Sequence, residues 1–364
     1  MRRPQPPGAG PLDLDAVGRT ADTIAAAQEP SGQIPWFPGG HTDPWDHIEA
    51  AMALDVAGRH DRARAAYEWL RRSQNPDGSW YRGYRGAEVI DPVRESNFTA
   101  YVCVGLRHHL LSTGDDAFLD RMWPAVRAAV DFVLALRAPG GQIVWARDAA
   151  GAAADEALLT GCSSIYHALR CALELAGRRA EPQPGWELTA SRLGHAVAAH
   201  PERFSPRERY AMDWYYPVLS GAVRGAAARA RIDAGWDRFV VPGLGVRCVS
   251  DRPWVTGAET CELVLALCAL GERDRAAGLF ADVARLRHPD GSYWTGYVYP
   301  DRTLWPAERT TWTAGAVLLA HAALAGQPAT SAVFDAARLP AGVRGRAARI
   351  RVDPATDRRP AQHA

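Results

Sequence analysis

The 364-residue sequence contains no lysine, and all 42 of its basic residues are arginine. That excludes Schiff-base catalysis, pyridoxal chemistry and a Walker-type phosphate loop, each of which needs the amine. Net charge is nearly absent, at +1 from 42 basic and 41 acidic residues. A nucleic-acid-binding face is therefore not expected. No apolar run approaches the roughly 18 residues of a membrane span. The six cysteines, Cys103, Cys162, Cys171, Cys248, Cys261 and Cys268, include no CxxC pair. No His/Cys/Asp set has zinc spacing either, so no metal and no other cofactor is expected. The N-terminus, MRRPQPPGAGPLDLD, follows its arginines with Pro and Gly instead of an apolar stretch. Without a recognisable signal peptide, and with Cys103, Cys261 and Cys268 inside apolar helical patterns, free thiols and a cytoplasmic protein are expected.

What is present is an internal repeat. The segment from Asp46 to Tyr84 aligns without a gap on the segment from Glu259 to Tyr297, with 14 identities in 39 positions. Gly58 pairs with Gly271, Asp61-Arg62-Ala63 with Asp274-Arg275-Ala276, and Pro76 with Pro289. Glu95 and Glu308 keep the same offset, each opening the next apolar stretch. A shorter signature recurs four times, as QEPSGQIPW at Gln28, QNPDGSWY at Gln74, RAPGGQIVW at Arg137 and RHPDGSYW at Arg287. Pro stops a helix, Gly permits positive φ in a tight turn, and an aromatic folds back.

Between these turns apolar residues recur at helical spacing. The pattern predicts six core-facing helices near 44–58, 93–113, 156–177, 208–230, 254–271 and 306–326. Arg-rich amphipathic partners are predicted near 13–29, 59–75, 115–137, 183–199 and 272–288. The stretch WDRFVVPGLGVRCVS has strand-like character, leaving the sixth partner short or replaced. Six helix pairs in one chain predict an all-α fold, an (α/α)6 barrel with short β-like segments in its loops. Residues 13–339 would form this single domain, with 1–12 and the Arg/Pro-rich 340–364 flexible.

In such a barrel the inner helices start at one mouth, where the helix dipole favours carboxylates. Those starts are chemically dense. HTDPWDHIEA carries Asp43, Trp45, Asp46, His47 and Glu49; RESNFTAY carries Glu95 and Asn97; LLTGCSSIYHAL carries Thr160 and Tyr166. RYAMDWYYPV carries Asp213, Trp214 and Tyr215; DRPWVTGAETCE carries Trp254, Glu259 and Glu262; WPAERTTWTAG carries Glu308 and Trp312. Each acid alone could be a simple helix cap. Interleaved with indoles, they suit a carbohydrate site, where rings stack on sugar faces and paired carboxyls cleave a glycosidic bond without a cofactor. Trp36, Tyr81 and Tyr297, beside the Gly turns, are further candidates for the mouth. A saccharide is the expected partner.

The stretch RESNFTAYVCVGLRHHLLSTGDDAFLDRMWPAVRAAVDFVLALRAPGGQIVW resembles the six-hairpin glycosidases, the (α/α)6 superfamily of glucoamylases, trehalases and some α-mannosidases. The missing signal peptide and the composition are also compatible with an actinobacterial endomannosidase acting on mannan or a methylated mannose polysaccharide. SQNPDGSW and RHPDGSYW are similar to the QxxxGxW turns of terpenoid cyclases and prenyltransferases. Against that reading, the chain has no DxDD motif and its mouth is rich in separated carboxylates. A sugar isomerase or epimerase on the same barrel is a third possibility, with His41, His47 and His167 as its histidines.

The glycosidase resemblance implies inversion, with acid and base on different helices. The repeat places Asp46 and Glu259 at equivalent positions. The resemblance then implies Asp46 as general acid and Glu259 as general base, with the reverse assignment open. The remaining residues named at the helix starts and turns are expected to contact substrate.

Overall fold

A computed structural model describes residues 12–335. The expected flexible tail, and all but the last residue of the expected flexible N-terminus, lie outside the described residues. Fourteen helices follow one another among those described: α1 (Leu14–Ala27), α2 (Pro44–Val56), α3 (His60–Ser73), α4 (Ser96–Ala100), α5 (Val102–Thr113), α6 (Asp116–Leu134), α7 (Leu159–Arg178), α8 (Pro184–Ala199), α9 (Ala211–Leu219), α10 (Gly225–Phe239), α11 (Gly257–Ala269), α12 (Arg273–Asp282), α13 (Thr311–Ala325) and α14 (Pro328–Phe334).

The helices nearly buried all round form the inner ring. In α2, twelve of thirteen residues are buried, and α11 and α13 are similar. The helices with one apolar stripe, such as α3 and α6, lie outside, as amphipathic patterning requires. Each inner helix packs on the next in the order α2, α4–α5, α7, α9, α11, α13, and α13 closes back on α2. The result is the (α/α)6 barrel. Its inner helices all start at one mouth. Across the far ends of α5, α11 and α13 lies α14, tied by Arg107 to the Ala332 carbonyl, by His108 to Thr330 and by His167 to the Val333 carbonyl, each at 2.9 Å.

Local chemistry explains two departures from the expected boundaries. The helix expected over 208–230 is two helices: α9 stops at Leu219, shortly after Pro217, and a turn with Gly221 and Gly225 at positive φ starts α10. The sixth outer helix is therefore α10, preceding the strand-like stretch. That stretch supplies Val240–Val241 and Gly245–Arg247 to a five-stranded antiparallel meander with Trp254–Thr256, Gly296–Val298 and Thr303–Leu304. The helices expected from 254 and 306 accordingly begin only at Gly257 and Thr311.

The recurrent Gly turns bind outer helices together. Gly78 has φ +89°, and a Cβ there would stand 2.1 Å from the Ala128 carbonyl oxygen of α6. Gln74 donates to the carbonyls of Gly78 and Ala125, both at 2.9 Å, sealing the same junction. Gly32 docks likewise on Ala65 of α3, with Gln28 donating to Gly32 and Arg62. Gly78→Ala is expected to lower unfolding free energy by about 2–4 kcal/mol through strain and overlap with backbone. Chemical denaturation measures this, and a loss below about 0.5 kcal/mol would contradict the docking role.

Candidate active site

At the open mouth the helix starts surround a cavity of about 300 Å³. Asp43, the N-cap of α2, accepts from the Asp46 backbone N–H at 2.9 Å and from Trp36 Nε1 at 2.8 Å. It thereby fixes one indole and one turn of helix together. Asp46 lines the cavity beside Trp36, Trp45 and Trp312. Trp45 stacks on Tyr101 with centroids 3.9 Å apart, which holds its ring in place. Glu95, Asn97 and Asp213 complete the polar wall, with Thr160 donating both N–H and hydroxyl to Asp213.

Beneath lies a layer of buried carboxyls. Glu49 accepts from Tyr101 at 2.9 Å and from Trp312 Nε1 at 3.0 Å, so one acid braces two rings at the cavity floor. Tyr215 donates to Glu262. Glu259, in the first turn of α11, is 5 % exposed, with Tyr215, Glu262 and the Cys248 thiol as electrostatic neighbours. It is not part of the cavity wall. Four polar oxygens in these two layers have no partner in the protein: Asp46 Oδ2, Asn97 Oδ1, Glu259 Oε2 and Glu262 Oε1. A buried polar atom left unpaired costs about 1–3 kcal/mol, and these four, gathered in two adjacent layers, are available to a ligand or water.

Electrostatics sort the acids. Burial raises Asp46 well above the usual carboxylate range, helped by the charges of Asp43, Glu49 and Glu262. Glu262 is raised by burial and by Glu49. Burial lifts Glu49 to about 7 against its two hydrogen bonds, and Glu95 to about 8 against Arg82 and Arg207. Burial also raises Asp213, opposed by the Thr160 hydrogen bonds. The cavity thus sets acids held toward their protonated form beside aromatic faces, which is what protonation of a glycosidic oxygen requires.

Several expected contacts lie elsewhere. His47 is fully buried, accepting from the Ile34 N–H and bonded to the Ala66 carbonyl, and burial lowers it to about 4. His167 is buried against α14 at the closed end. Neither of these two is at the mouth, as an isomerase base would have to be; His41, the third, packs on Trp36 with ring centroids 4.5 Å apart, behind an indole of the cavity wall and not itself lining it. Tyr166 packs outward on Gly194 of α8, and Trp214 on α10, its Nε1 bonded to the Arg231 carbonyl. Tyr81 packs on Tyr84, and Tyr297 lies under Arg285 in the meander. Trp254 stands edge-on to Trp305. Glu308 precedes α13 in a separate surface groove with Phe37 and Trp294. Tyr215 and Glu262 are in the bore beneath the cavity. Among the described residues, no cluster of His, Cys, Asp and Glu is spaced to hold a metal ion.

Sequence reasoning missed Phe98, Leu158, Arg207, Tyr210 and Met212, which also line the cavity. Phe98 and Met212 adjoin Asn97 and Asp213, so adjacency to a marked polar residue was a usable signal. Arg207 comes from a loop that also carries Arg203 and Arg209, and nothing in the spacing sets it apart.

No protein-family model matches the chain. Among solved structures it resembles a glycosidase with glucose bound (TM-score 0.68, 17 % identity, covering 90 % of this chain and 100 % of that one). It also resembles a D-mannose isomerase (TM-score 0.69, 11 % identity, covering 89 % and 100 %). At those identities the likeness establishes the fold alone. The chain is 57 % identical over 336 residues to the "MMP endo-(1,4)-3-O-methyl-alpha-D-mannosidase" of Mycolicibacterium hassiacum, spanning 92 % of this chain and 93 % of that protein. With that identity over nearly its whole length, on a barrel whose mouth joins a raised carboxylic acid to three indoles, the chain belongs to the family of this endo-mannosidase and is a glycoside hydrolase acting on a saccharide.

Proposed function

We propose that the protein cleaves α-(1,4) bonds inside chains of 3-O-methylmannose with inversion, Asp46 acting as general acid and Glu259 as general base. The observation that carries this reading is Asp46 itself: a carboxyl raised by burial and by three neighbouring acids, on the wall of an indole-lined cavity, with one oxygen unpartnered. The linkage and sugar follow the relative at 57 % identity. The half-buried Phe98, Leu158 and Met212 suit methyl ethers, which bring apolar surface and no hydroxyl donor. Inversion requires two carboxyls about 6.5–9.5 Å apart with a water between them. Glu259, equivalent to Asp46 in the repeat and with Oε2 unpartnered, supports the second role. Six free cysteines, four of them buried, fit a reducing cytoplasm.

Product analysis on α-(1,4)-linked 3-O-methylmannose oligomers tests the reading. Internal cleavage to shorter oligomers, each new reducing end released first as the β-anomer, is expected. Release of single sugars from one end would remove the endo part, and an α-anomer the inversion. Intact oligomers after prolonged incubation would overturn the substrate.

A further inference from the structure

Resting on this reading, a second binding region is legible outside the cavity. A groove of about 950 Å³ lies between α8 and α10, three times the volume of the cavity itself. The two adjoin, with Arg207 and Asp213 lining both. Arg207 is half-buried at that junction, with its guanidinium over the Tyr210 ring at 4.9 Å. Its side chain makes no hydrogen bond or ion pair with the described residues. Its charge acts on Glu95 and Asp213 and its face rests on Tyr210, but the five donors of its fixed fork have no hydrogen-bond acceptor among the described residues and are available to ligand oxygens.

The groove's composition suits a sugar chain. Its floor is apolar, with Phe204 and Phe239 buried, while its rim carries the exposed Glu202 and Arg238. Pyranose faces and methyl ethers match such a floor, and ring and hydroxyl oxygens match such a rim. The walls facing each other across it expose small side chains, Ala198 on α8 and Ala234 on α10, which leave the channel open.

We propose that this groove is a distal saccharide-binding site, holding sugar units of the same chain beyond the bond being cleaved, with Arg207 bridging it to the cavity. An enzyme acting inside a chain has sugar units on both sides of the scissile bond to hold. Binding energy from those remote units would be realised at the reacting bond, so long substrates would be cleaved with higher kcat/KM than short ones.

The test blocks the groove from either wall. Ala234→Trp and Ala198→Trp both add an indole at exposed helix positions that do not line the cavity. kcat/KM is measured for each variant and wild type on the shortest methylmannose oligomer that wild type cleaves and on one several units longer. A fall of about tenfold or more on the long oligomer, with the short one unchanged, is expected. Equal values for variants and wild type at both lengths would overturn the groove's role. An equal fall at both lengths would do so too, since the block would then be acting on the cavity. Inactivity of wild type on every oligomer is a different outcome: it overturns the substrate assignment, and the groove assignment with it.

Discussion

Asp46→Asn is expected to lower kcat on methylmannose oligomers by about 10³-fold or more, within the range that loss of a positioned general acid produces. The amide keeps the shape of the carboxyl and can still sit beside Asp43, so the fold and substrate binding should be retained. Two further readouts separate an acid from a residue that only shapes the cavity. On a substrate whose leaving group needs no proton, such as a nitrophenyl glycoside, the variant should recover much of the wild-type rate. The wild-type kcat/KM should also fall on the alkaline side, because Asp46 must be protonated to donate. That fall should lie well above the ordinary carboxylate range, since burial and the charges of Asp43, Glu49 and Glu262 favour the protonated form. The variant should lose this limb. If it does not, the titrating group is another, and Glu95, raised to about 8 on the same wall, is the first candidate.

Glu259→Gln is expected to cost a comparable factor with the opposite signature. A general base activates the attacking water whatever the leaving group is, so an activated glycoside should give no recovery. Substrate binding should persist, because the amide keeps the size of the carboxyl among Tyr215, Glu262 and Cys248 and the residues lining the cavity are unchanged. A rate within about tenfold of wild type would remove Glu259 from the chemistry. The base would then be sought among Asp213 and Asp43, which line the cavity with Asp46.

Glu49 and Glu262 show how this barrel uses its second pair of repeat-equivalent acids. They stand one turn below Asp46 and Glu259, and each is held by a tyrosine hydroxyl. Their burial next to one another is costly, yet it places charge under Asp46 and braces Trp312 through its indole N–H. The lower acids thereby position the upper layer.

The barrel and the chemical character of its mouth were legible in the amino-acid pattern. Six nearly all-apolar helices could be buried only within a ring of amphipathic partners, and the Gly turns told where each hairpin closes. The gapless repeat singled out Asp46 with Glu259 and Glu49 with Glu262, because duplicated hairpins keep equivalent positions on equivalent helices. Which of the marked residues meet depends on how the helices pack. Trp45 and Trp214 occupy similar places near helix starts, yet one lines the cavity and the other packs outward on α10. Around a ring, a rotation of one helix by a single residue step, about 100° at 3.6 residues per turn, moves a side chain from bore to outer layer. Arg207, Tyr210 and Leu158 reach the wall from loops whose paths are fixed by the helices they join, and no periodicity in a loop records its destination. The joining of cavity and groove through Arg207 and Asp213 is likewise a property of where α8 and α10 stand apart, which only their packed positions define.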